Sequence, residues 1–429
     1  GSDVARCLGV MDDILDVNVT PNRPDALSHL GVARELAAHF RTRLRPVDLP
    51  SGAEQVQDVE QVQNVIMDVR IDDSMACTRY TASFLSGLAV GPSPIHMRLR
   101  LQYCGIRSIS NIVDVTNYVL LETGHPLHAF DLDKLTGGIV VRRAKPGETM
   151  KTLDGQDRVL LPDDIVIADH SGPVALAGVM GGLSSEVSET TKNVLLEAAT
   201  FEPRSIRRTS RRLGLISEAS YRFERGVDAN GVPAAARRAA ALLARLGGGR
   251  LLGMVDRYPC PPRPVKIKLR TAYMRRVAGV DYPISFARDQ LERLGIACES
   301  QPDGLLATVP TFRPDISIEE DLIEEILRMG EYARPAQQER VCSNASSCPN
   351  PEAPSDRCRA LLASAGLHEI VSWAFVPRNA LAVVGGGDSR LTDGVLVKNP
   401  ISSDYEVMRT TLLPGLVDTL KRNLSRGIG

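Results

Sequence analysis

Two stretches of the sequence place polar side chains among apolar ones, a pattern typical of groups that project into a pocket. They cover residues 111–118 and 124–131, and the second contains His125 and His128. A histidine in such a setting is more often a hydrogen-bonded core residue than a functional one, so both interpretations of His128 stay open. Pro126 opposes a helix that would present the two histidines on one face, which disfavours metal binding there.

A run of small residues at 174–182 contains Gly178, Gly181 and Gly182. Glycines let a ligand approach the backbone closely, and adjacent N–H groups can hold an anion or a carbonyl oxygen. The run is not a nucleotide-binding P-loop, because no Lys-Ser or Lys-Thr pair follows the glycines. A ligand-binding loop and a tight turn between two strands both fit this pattern.

Glu197 lies near the end of an apolar run that begins at Val194. Burying a glutamate is costly unless the carboxylate is paired or hydrogen-bonded. If this side chain points inward, we expect it to serve a partner or a ligand. If it points to solvent, it needs no such explanation.

The most acidic stretch, residues 310–328, predicts a capped helix. Ser317 and Glu320 match a capping box that starts a helix at Ile318. Acidic side chains then recur at three- and four-residue spacing and share one face of this helix: Asp321, Glu324 and Glu325. Several carboxylates on one turn suit Mg²⁺, although a solvent-exposed acidic face is the simpler explanation.

The elements that must position these residues belong to a folded chain of several domains. The 429 residues exceed the roughly 100–200 residues of one domain. With 43% hydrophobic and 24% charged residues, the composition excludes a disordered or collagenous chain. No apolar run reaches the roughly 18 residues of a membrane helix, so we expect a cytoplasmic protein without a membrane partner.

Periodicity divides the chain into segments of mixed α and β structure. A strand at 14–19 precedes a turn and an amphipathic helix at 27–40. Polar or proline-rich stretches predict linkers at 45–64, 259–264 and 333–357. Between them we predict strands at 140–143, 158–161, 165–168 and 194–198, and helices at 234–246 and 285–294. The last segment contains a strand at 371–375 and ends like a truncated fold.

The net charge is only −1, so contact with nucleic acid would need a local basic patch. Residues 201–250 supply one, with eleven arginines against four acidic residues. Four of these arginines share a face if the segment is helical: Arg207, Arg208, Arg211 and Arg212. This face either contacts phosphates or pairs with nearby acidic residues such as Glu218 and Glu224.

Several long motifs together resemble the β chain of bacterial phenylalanyl-tRNA synthetases. They occur in the family's order at 17–25, 114–118, 125–131, 177–182, 197–201, 221–228, 313–316, 399–402 and 408–415. The resemblance implies an α+β multidomain fold, interpreted as an internal fragment without the oligonucleotide-binding and anticodon-binding modules. The implied domains are the remainder of an N-terminal small domain at 1–50, a mixed α/β editing domain at 65–255, a winged-helix-like domain at 265–335, and the start of a class II synthetase-like antiparallel core at 358–429.

The resemblance also assigns roles in the hydrolysis of Tyr-tRNA(Phe). It makes Glu197 the reader of the tyrosine hydroxyl and places His128 and Asn117 near the aminoacyl ester. The positions implied to contact substrate are Arg107, Thr116, Ala177, Gly178, Ser217 and Ala219. The family often has Thr where Ser217 stands, so this chain departs from the family's pattern at that position of the pocket wall. No nucleophilic triad is evident, so attack by a positioned water is expected.

The implied cofactor and partners follow from the same resemblance. A Mg²⁺ site at the contact with the α chain is assigned to Asp315, Asp321, Glu324 and Glu325. The α chain uses ATP to charge tRNA(Phe), and the two chains form an α2β2 heterotetramer in this family. The alternative function is a non-catalytic scaffold that binds tRNA and anchors the α chain.

Overall fold

The computed structural model describes residues 12–45, 67–330 and 354–428. The chain forms two compact units, which divide between residues 337 and 338. Among the described residues, none of the helices is both long and apolar enough to cross a membrane. Most of the predicted linkers at 45–64 and 333–357 lie outside the described residues.

The first unit is built around two β-sheets that share one apolar layer. In chain order their strands are β1 (Val69–Ile71), β2 (Cys77–Ser86), β3 (Leu127–Asp131), β4 (Ile139–Arg143), β5 (Thr149–Lys151), β6 (Asp157–Val159), β7 (Ile165–Ala168), β8 (Pro173–Leu176), β9 (Met180–Gly181), β10 (Val194–Phe201) and β11 (Arg250–Arg257). The antiparallel central sheet has the order β11-β2-β10-β3, and the second sheet has the order β1-β4-β7-β8-β9. β5 and β6 form a separate two-stranded sheet.

Helices cover the face of the central sheet that lies away from the second sheet. The helices of this part of the chain are α1 (His29–His39), α2 (Ile95–Tyr103), α3 (Asn111–Thr123), α4 (Pro203–Leu213), α5 (Glu218–Phe223) and α6 (Val232–Gly247). Val115 of α3 and Ala239 of α6 pack with Leu85 and Leu196 of the sheet. The other face of the sheet contributes Tyr80, Phe84 and Phe130 to the apolar layer shared with the second sheet.

A small sheet body follows at residues 265–330. It consists of β12 (Val265–Arg270), α7 (Thr271–Ala278), α8 (Ile284–Arg293), β13 (Ala297–Gln301), β14 (Gly304–Val309) and α9 (Glu319–Met329). The three strands form an antiparallel sheet in the order β12-β14-β13. Met274, Leu291 and Ile326, one from each helix, pack with the apolar side chains of this sheet.

The same Arg-Pro-Asp motif occurs twice in the first unit and has the same geometry each time. In the first copy, Arg23 donates two hydrogen bonds of 2.9 Å to the carboxylate of Asp25. In the second, Arg313 donates bonds of 3.0 and 2.9 Å to Asp315. Two parallel bonds between a guanidinium and a carboxylate are the strongest form of ion pair.

Further ion pairs link the two motifs into one continuous ion-pair chain. Glu35 of α1 accepts from Arg23 at 2.5 Å and from Arg328 of α9 at 2.6 Å. Glu325 accepts from Arg328 at 2.6 Å and from the buried Arg313 at 2.9 Å. Alternating charges therefore hold the N-terminal helix against the small sheet body.

The second unit is described separately and has little buried core. Its elements are α10 (Pro354–Ser364), β15 (Phe375–Val376), α11 (Arg378–Gly385), α12 (Ser389–Thr392), β16 (Val407–Met408) and α13 (Leu413–Ser425). Val376, Leu381 and Val407 form its buried cluster. The paired strands are only two residues long, so the predicted synthetase-like antiparallel core is not confirmed.

Most of the predicted elements are confirmed, and three local predictions are wrong. The strand predicted at 14–19 is absent, because this described segment is largely exposed and pairs with no described strand. The strand predicted at 371–375 is reduced to Phe375 and Val376. The capping residue of α9 is Asp321 instead of Glu320: its carboxylate accepts from the backbone N–H groups of Ser317 and Ile318.

We predict that Glu325→Gln destabilises the first unit by about 3 kcal/mol, because it leaves a buried guanidinium partly unpaired. Although burial alone would raise it, hydrogen bonds from Arg313 and Arg328 lower the pKa of Glu325 to about 2. The stabilisation is therefore present above the ordinary pKa of 4.5 and is lost as the pH falls through about 2. Urea unfolding followed by circular dichroism measures the loss at neutral pH.

The matched control is the exposed neighbour, Glu324→Gln, for which we expect a change below about 0.5 kcal/mol. Equal losses at the two positions would show that the ion-pair chain contributes no specific stability.

Candidate active site

Glu197 is a buried carboxyl group with no partner in the part of the chain that the structure describes. It lies on β10 between Ala82 of β2 and His128 of β3, and its side chain is on the face that meets the second sheet. The residue is only 5% exposed. Within the described residues its side chain takes part in no hydrogen bond or ion pair. Buried polar groups are nearly always hydrogen-bonded, so this one is available to a ligand.

Burial raises the pKa of Glu197 to about 8. The group is therefore mostly protonated at neutral pH and offers one hydrogen-bond donor and one acceptor. A charge would be far more expensive in the apolar layer between the two sheets.

His128 lies directly opposite Glu197 and is uncharged as well. Burial lowers the pKa of its imidazole to about 4. The ring packs edge-on against Phe130, with 4.5 Å between ring centroids, and its other side faces Gly181 of β9. A β-carbon at Gly181 would lie 2.5 Å from His128 Cε1, so a side chain there would displace the imidazole.

The turn between β8 and β9 lies beside this pair. Gly178 has a φ of +66°, and a β-carbon there would lie 2.8 Å from Phe223 and 3.1 Å from Phe201. This position therefore requires glycine both for its backbone conformation and for space. The backbone N–H of Ala177 donates to the carbonyl oxygen of Ile165, so it is already used. The N–H of Gly178 has no partner among the described residues.

The start of α5 contacts the same turn. The Ser217 hydroxyl donates to the carbonyl oxygen of Val179 at 3.1 Å and accepts from the backbone N–H of Ser220 at 3.1 Å. Ala219 packs against the apolar layer between the sheets. Ser217 therefore fixes the turn against α5, whereas Ala219 forms part of the apolar surface beside the site.

The structure does not join the other three predicted residues to this site. Thr116 and Asn117 lie on α3, which packs on the opposite face of the central sheet from Glu197. The Thr116 hydroxyl donates to the carbonyl oxygen of Val113 within the same helix, at 2.7 Å. Arg107 is exposed between α2 and α3. Their proximity to the ester remains a prediction.

Within the described residues, the predicted magnesium ligands do not form a preformed metal site. Asp315 and Glu325 are ion-paired with Arg313, Asp321 caps α9, and Glu324 is exposed. Among the described residues, no group of three or more His, Cys, Asp or Glu side chains could hold a metal ion. Arginines pair with Asp315 and Glu325 only, so a Mg²⁺ site at a contact with another subunit remains a prediction.

The arginine-rich face of α4 is partly paired, though not with the expected residues. Arg208 pairs with Asp163 at 3.0 Å and Arg212 pairs with Asp164. Glu218 and Glu224 instead pair with Arg222 and Arg225, at 2.6 Å each. The α4 arginines whose side chains have no partner within the described residues are Arg204, Arg207 and Arg211, and all three are exposed.

A cavity of about 250 Å³ lies elsewhere, between the N-terminal helix, the helical layer and the small sheet body. Arg34, His125, Asp228 and Phe312 are among its lining residues. Neither Glu197 nor His128 lines it. We therefore locate the candidate site by the unpartnered polar groups around β10 and not by this cavity.

Comparison with known domain families agrees with this architecture. Residues 76–248 match the B3/4 domain, residues 267–332 match the tRNA synthetase B5 domain, and residues 346–429 match the phenylalanyl tRNA synthetase beta chain CLM domain. The candidate site lies wholly within the B3/4 match. The chain thus combines domains of a tRNA synthetase subunit.

Along nearly its whole length the chain is similar to the β subunits of phenylalanine–tRNA ligases. It is 46% identical over 99% of its length to the phenylalanine–tRNA ligase beta subunit of Anaeromyxobacter dehalogenans, and covers 52% of that protein. It is 44% identical over 99% of its length to the corresponding subunit of Geobacter sulfurreducens, and covers 53% of it. The chain spans about half the length of the curated relatives it matches.

We predict that the stability of the first unit depends on pH through Glu197. The unfolded group loses its proton near its ordinary pKa of 4.5 and the folded group near 8, so the free energy of unfolding falls as the pH rises between these values. The fall approaches about 1.4 kcal/mol per pH unit. Glu197→Gln removes it, which urea unfolding at about pH 5 and about pH 8 measures.

His128 has the opposite effect: through this residue the free energy of unfolding rises with pH between about 4 and 6.5. This effect is the same in the wild-type chain and in the variant, so it cancels when the two are compared. Parallel pH profiles for the wild-type chain and the variant would contradict a raised pKa of Glu197.

Proposed function

We propose that this chain hydrolyses tyrosine from tRNA(Phe) as the editing part of a phenylalanine–tRNA ligase β subunit. The observation that carries the proposal is the buried, unpartnered carboxyl group of Glu197 opposite a neutral His128. The match to a B3/4 domain and the names of the relatives support it.

Editing has a physical motive in such an enzyme. A pocket shaped for phenylalanine rejects an analogue with one added hydroxyl by only about 10²-fold. A second site that requires the hydroxyl inverts this preference. Bound phenylalanine would leave the Glu197 carboxyl unpaired, at a cost of about 1–3 kcal/mol, whereas tyrosine would satisfy it.

The neighbouring groups suit ester hydrolysis by water. A neutral imidazole can accept a hydrogen bond from a water molecule and orient it, so His128 is the candidate for that role. The free N–H of Gly178 can donate to the ester carbonyl oxygen as negative charge develops on it. Glu197 would hold the far end of the amino acid, which fixes the ester relative to these groups.

The partners proposed for the chain are the α subunit and tRNA(Phe). Its relatives are named beta subunits, which supports an α partner, and the α2β2 assembly is part of the same proposal. ATP would be used by the α subunit for charging, and Mg²⁺ would bind at the contact with that subunit, with Asp315, Asp321, Glu324 and Glu325 as its proposed ligands. The non-catalytic scaffold predicts the same partners but no hydrolysis.

We predict that Glu197→Ala lowers hydrolysis of Tyr-tRNA(Phe) by about tenfold or more and reduces discrimination against Phe-tRNA(Phe), because the reader of the hydroxyl is lost. Deacylation of both esters by the αβ complex measures the ratio of kcat/KM values. If wild-type protein hydrolyses neither ester, the scaffold function is favoured. If the Glu197→Ala variant hydrolyses both esters with the wild-type selectivity, Glu197 does not recognise the tyrosine hydroxyl.

We predict that the unpaired arginines of α4 contact tRNA phosphates. Each contact changes the slope of log K against log salt by about −0.7 on a single strand and −0.9 on a duplex. The double substitution Arg207→Ala with Arg211→Ala should therefore flatten the slope by about one to two. Binding of tRNA(Phe) at several salt concentrations gives this value.

The matched control is Arg208→Ala with Arg212→Ala, on the same helix but paired with Asp163 and Asp164. This control should lower thermal stability, and it should change the salt slope less than the first double variant does. The hypothesis fails if both double variants have the wild-type slope.

A further inference from the structure

Two buried polar groups without partners lie next to each other in the apolar layer of the first unit. The Tyr80 hydroxyl is fully buried and has no hydrogen-bond partner within the described residues. The side chain of Glu197 also has none there. Both groups would be hydrogen-bonded in an ordinary protein interior.

The strand register places these two side chains on one face. Tyr80 lies opposite Ala199, and Glu197 lies opposite Ala82, so Tyr80 and Glu197 are diagonal neighbours on adjacent strands. Side chains two residues apart on a strand share a face, and diagonal neighbours are about 7–8 Å apart at the backbone, within reach of long and aromatic side chains. His128 flanks Glu197 on the other strand.

The polar groups near Tyr80 form hydrogen bonds elsewhere, and none within the described residues pairs with its hydroxyl. Cys77, on the same strand, donates its thiol to the carbonyl oxygen of Arg79. The Arg79 guanidinium is held by Asp256, in a two-point ion pair. Burial, and then the nearby Glu197 and Cys77, raise the pKa of Tyr80 well above 10, so its hydroxyl keeps its proton and remains a donor.

We propose that Tyr80 is a second specificity-determining residue for tyrosine: its hydroxyl donates a hydrogen bond to the substrate phenol oxygen, while Glu197 accepts a hydrogen bond from the phenol O–H. This inference rests on the proposed editing function. A phenol has one donor and an acceptor oxygen, so two complementary groups satisfy it and one does not. Phenylalanine satisfies neither, which leaves two buried groups unpaired.

The depth of the two groups agrees with this role. The hydroxyl is the part of tyrosine farthest from the ester, so its readers belong at the closed end of a site whose ester lies near the surface. Tyr80 is fully buried, Glu197 is 5% exposed, and His128 is more exposed than either. Burial therefore increases from the proposed water-orienting group to the proposed readers.

The test is Tyr80→Phe, which removes only the hydroxyl. We expect the ratio of kcat/KM for Tyr-tRNA(Phe) to that for Phe-tRNA(Phe) to fall about tenfold, through slower hydrolysis of the tyrosyl ester. The variant should unfold at the same or a higher temperature than the wild type, because an unpaired buried hydroxyl is removed. An unchanged ratio, or an equal loss for both esters, would overturn the inference.

The matched control is Tyr282→Phe. Tyr282 also has a buried hydroxyl with no partner among the described residues, but it lies in the small sheet body and stacks on Phe286. This variant should keep the wild-type ratio, and a fall equal to that of Tyr80→Phe would contradict a local role.

The outcomes separate the inference from the proposed function. If the wild-type complex hydrolyses neither ester, the proposed function fails and the inference falls with it. If Glu197→Ala loses selectivity while Tyr80→Phe keeps it, only the inference fails. A third ester, of p-aminophenylalanine, sharpens the assignment: its amino group donates well and accepts poorly, so Tyr80→Phe should cost less with this ester than with tyrosine.

Discussion

Strand β10 is buried on both faces, and the candidate site follows from that constraint. Helices cover one face of the central sheet, and the second sheet covers the other. Every position of the strand is therefore interior, and its sequence is apolar apart from Glu197 and Thr200. A glutamate in this strand has no solvent to turn towards. Its proton is retained, and its hydrogen bonds depend on what enters the layer between the sheets.

The charged residues of the first unit behave in two contrasting ways. In the two Arg-Pro-Asp motifs, every buried charge is satisfied: Arg313 is held by Asp315 and Glu325, and Glu35 links this set to Arg23. In contrast, the carboxyl group of Glu197 and the hydroxyl of Tyr80 are neutral and have no partner within the described residues. Buried charges that serve the fold need partners within the chain, whereas groups that serve a ligand must remain free for it. The acidic helix α9 belongs to the first kind, despite a spacing that also suits a metal.

Local patterns predicted the elements, and nonlocal pairing decided the site. The apolar run around Glu197 and the periodicity of α6 were sufficient to predict a strand and a helix. The sequence could not show that His128 would lie opposite Glu197, because register between distant strands is set by how whole faces are buried. The sequence also could not show that Arg313 would form an ion pair with Glu325. Tyr80 carried only the alternation of β2 as a signal, which indicates burial but not an unpaired hydroxyl.

An uncharged side chain that recognises the tyrosine hydroxyl can contribute only a limited free energy to selectivity. A charged carboxylate left unpaired would penalise phenylalanine heavily, but the same charge would have to be buried whenever the site is empty. A protonated carboxyl avoids that cost, and its unpaired state penalises phenylalanine by only about 1–3 kcal/mol. A second neutral group beside it raises the total penalty without placing a charge in the apolar layer. The neighbouring hydroxyl of Tyr80 is such a group, and its burial beside Glu197 is consistent with selectivity built from two uncharged hydrogen bonds.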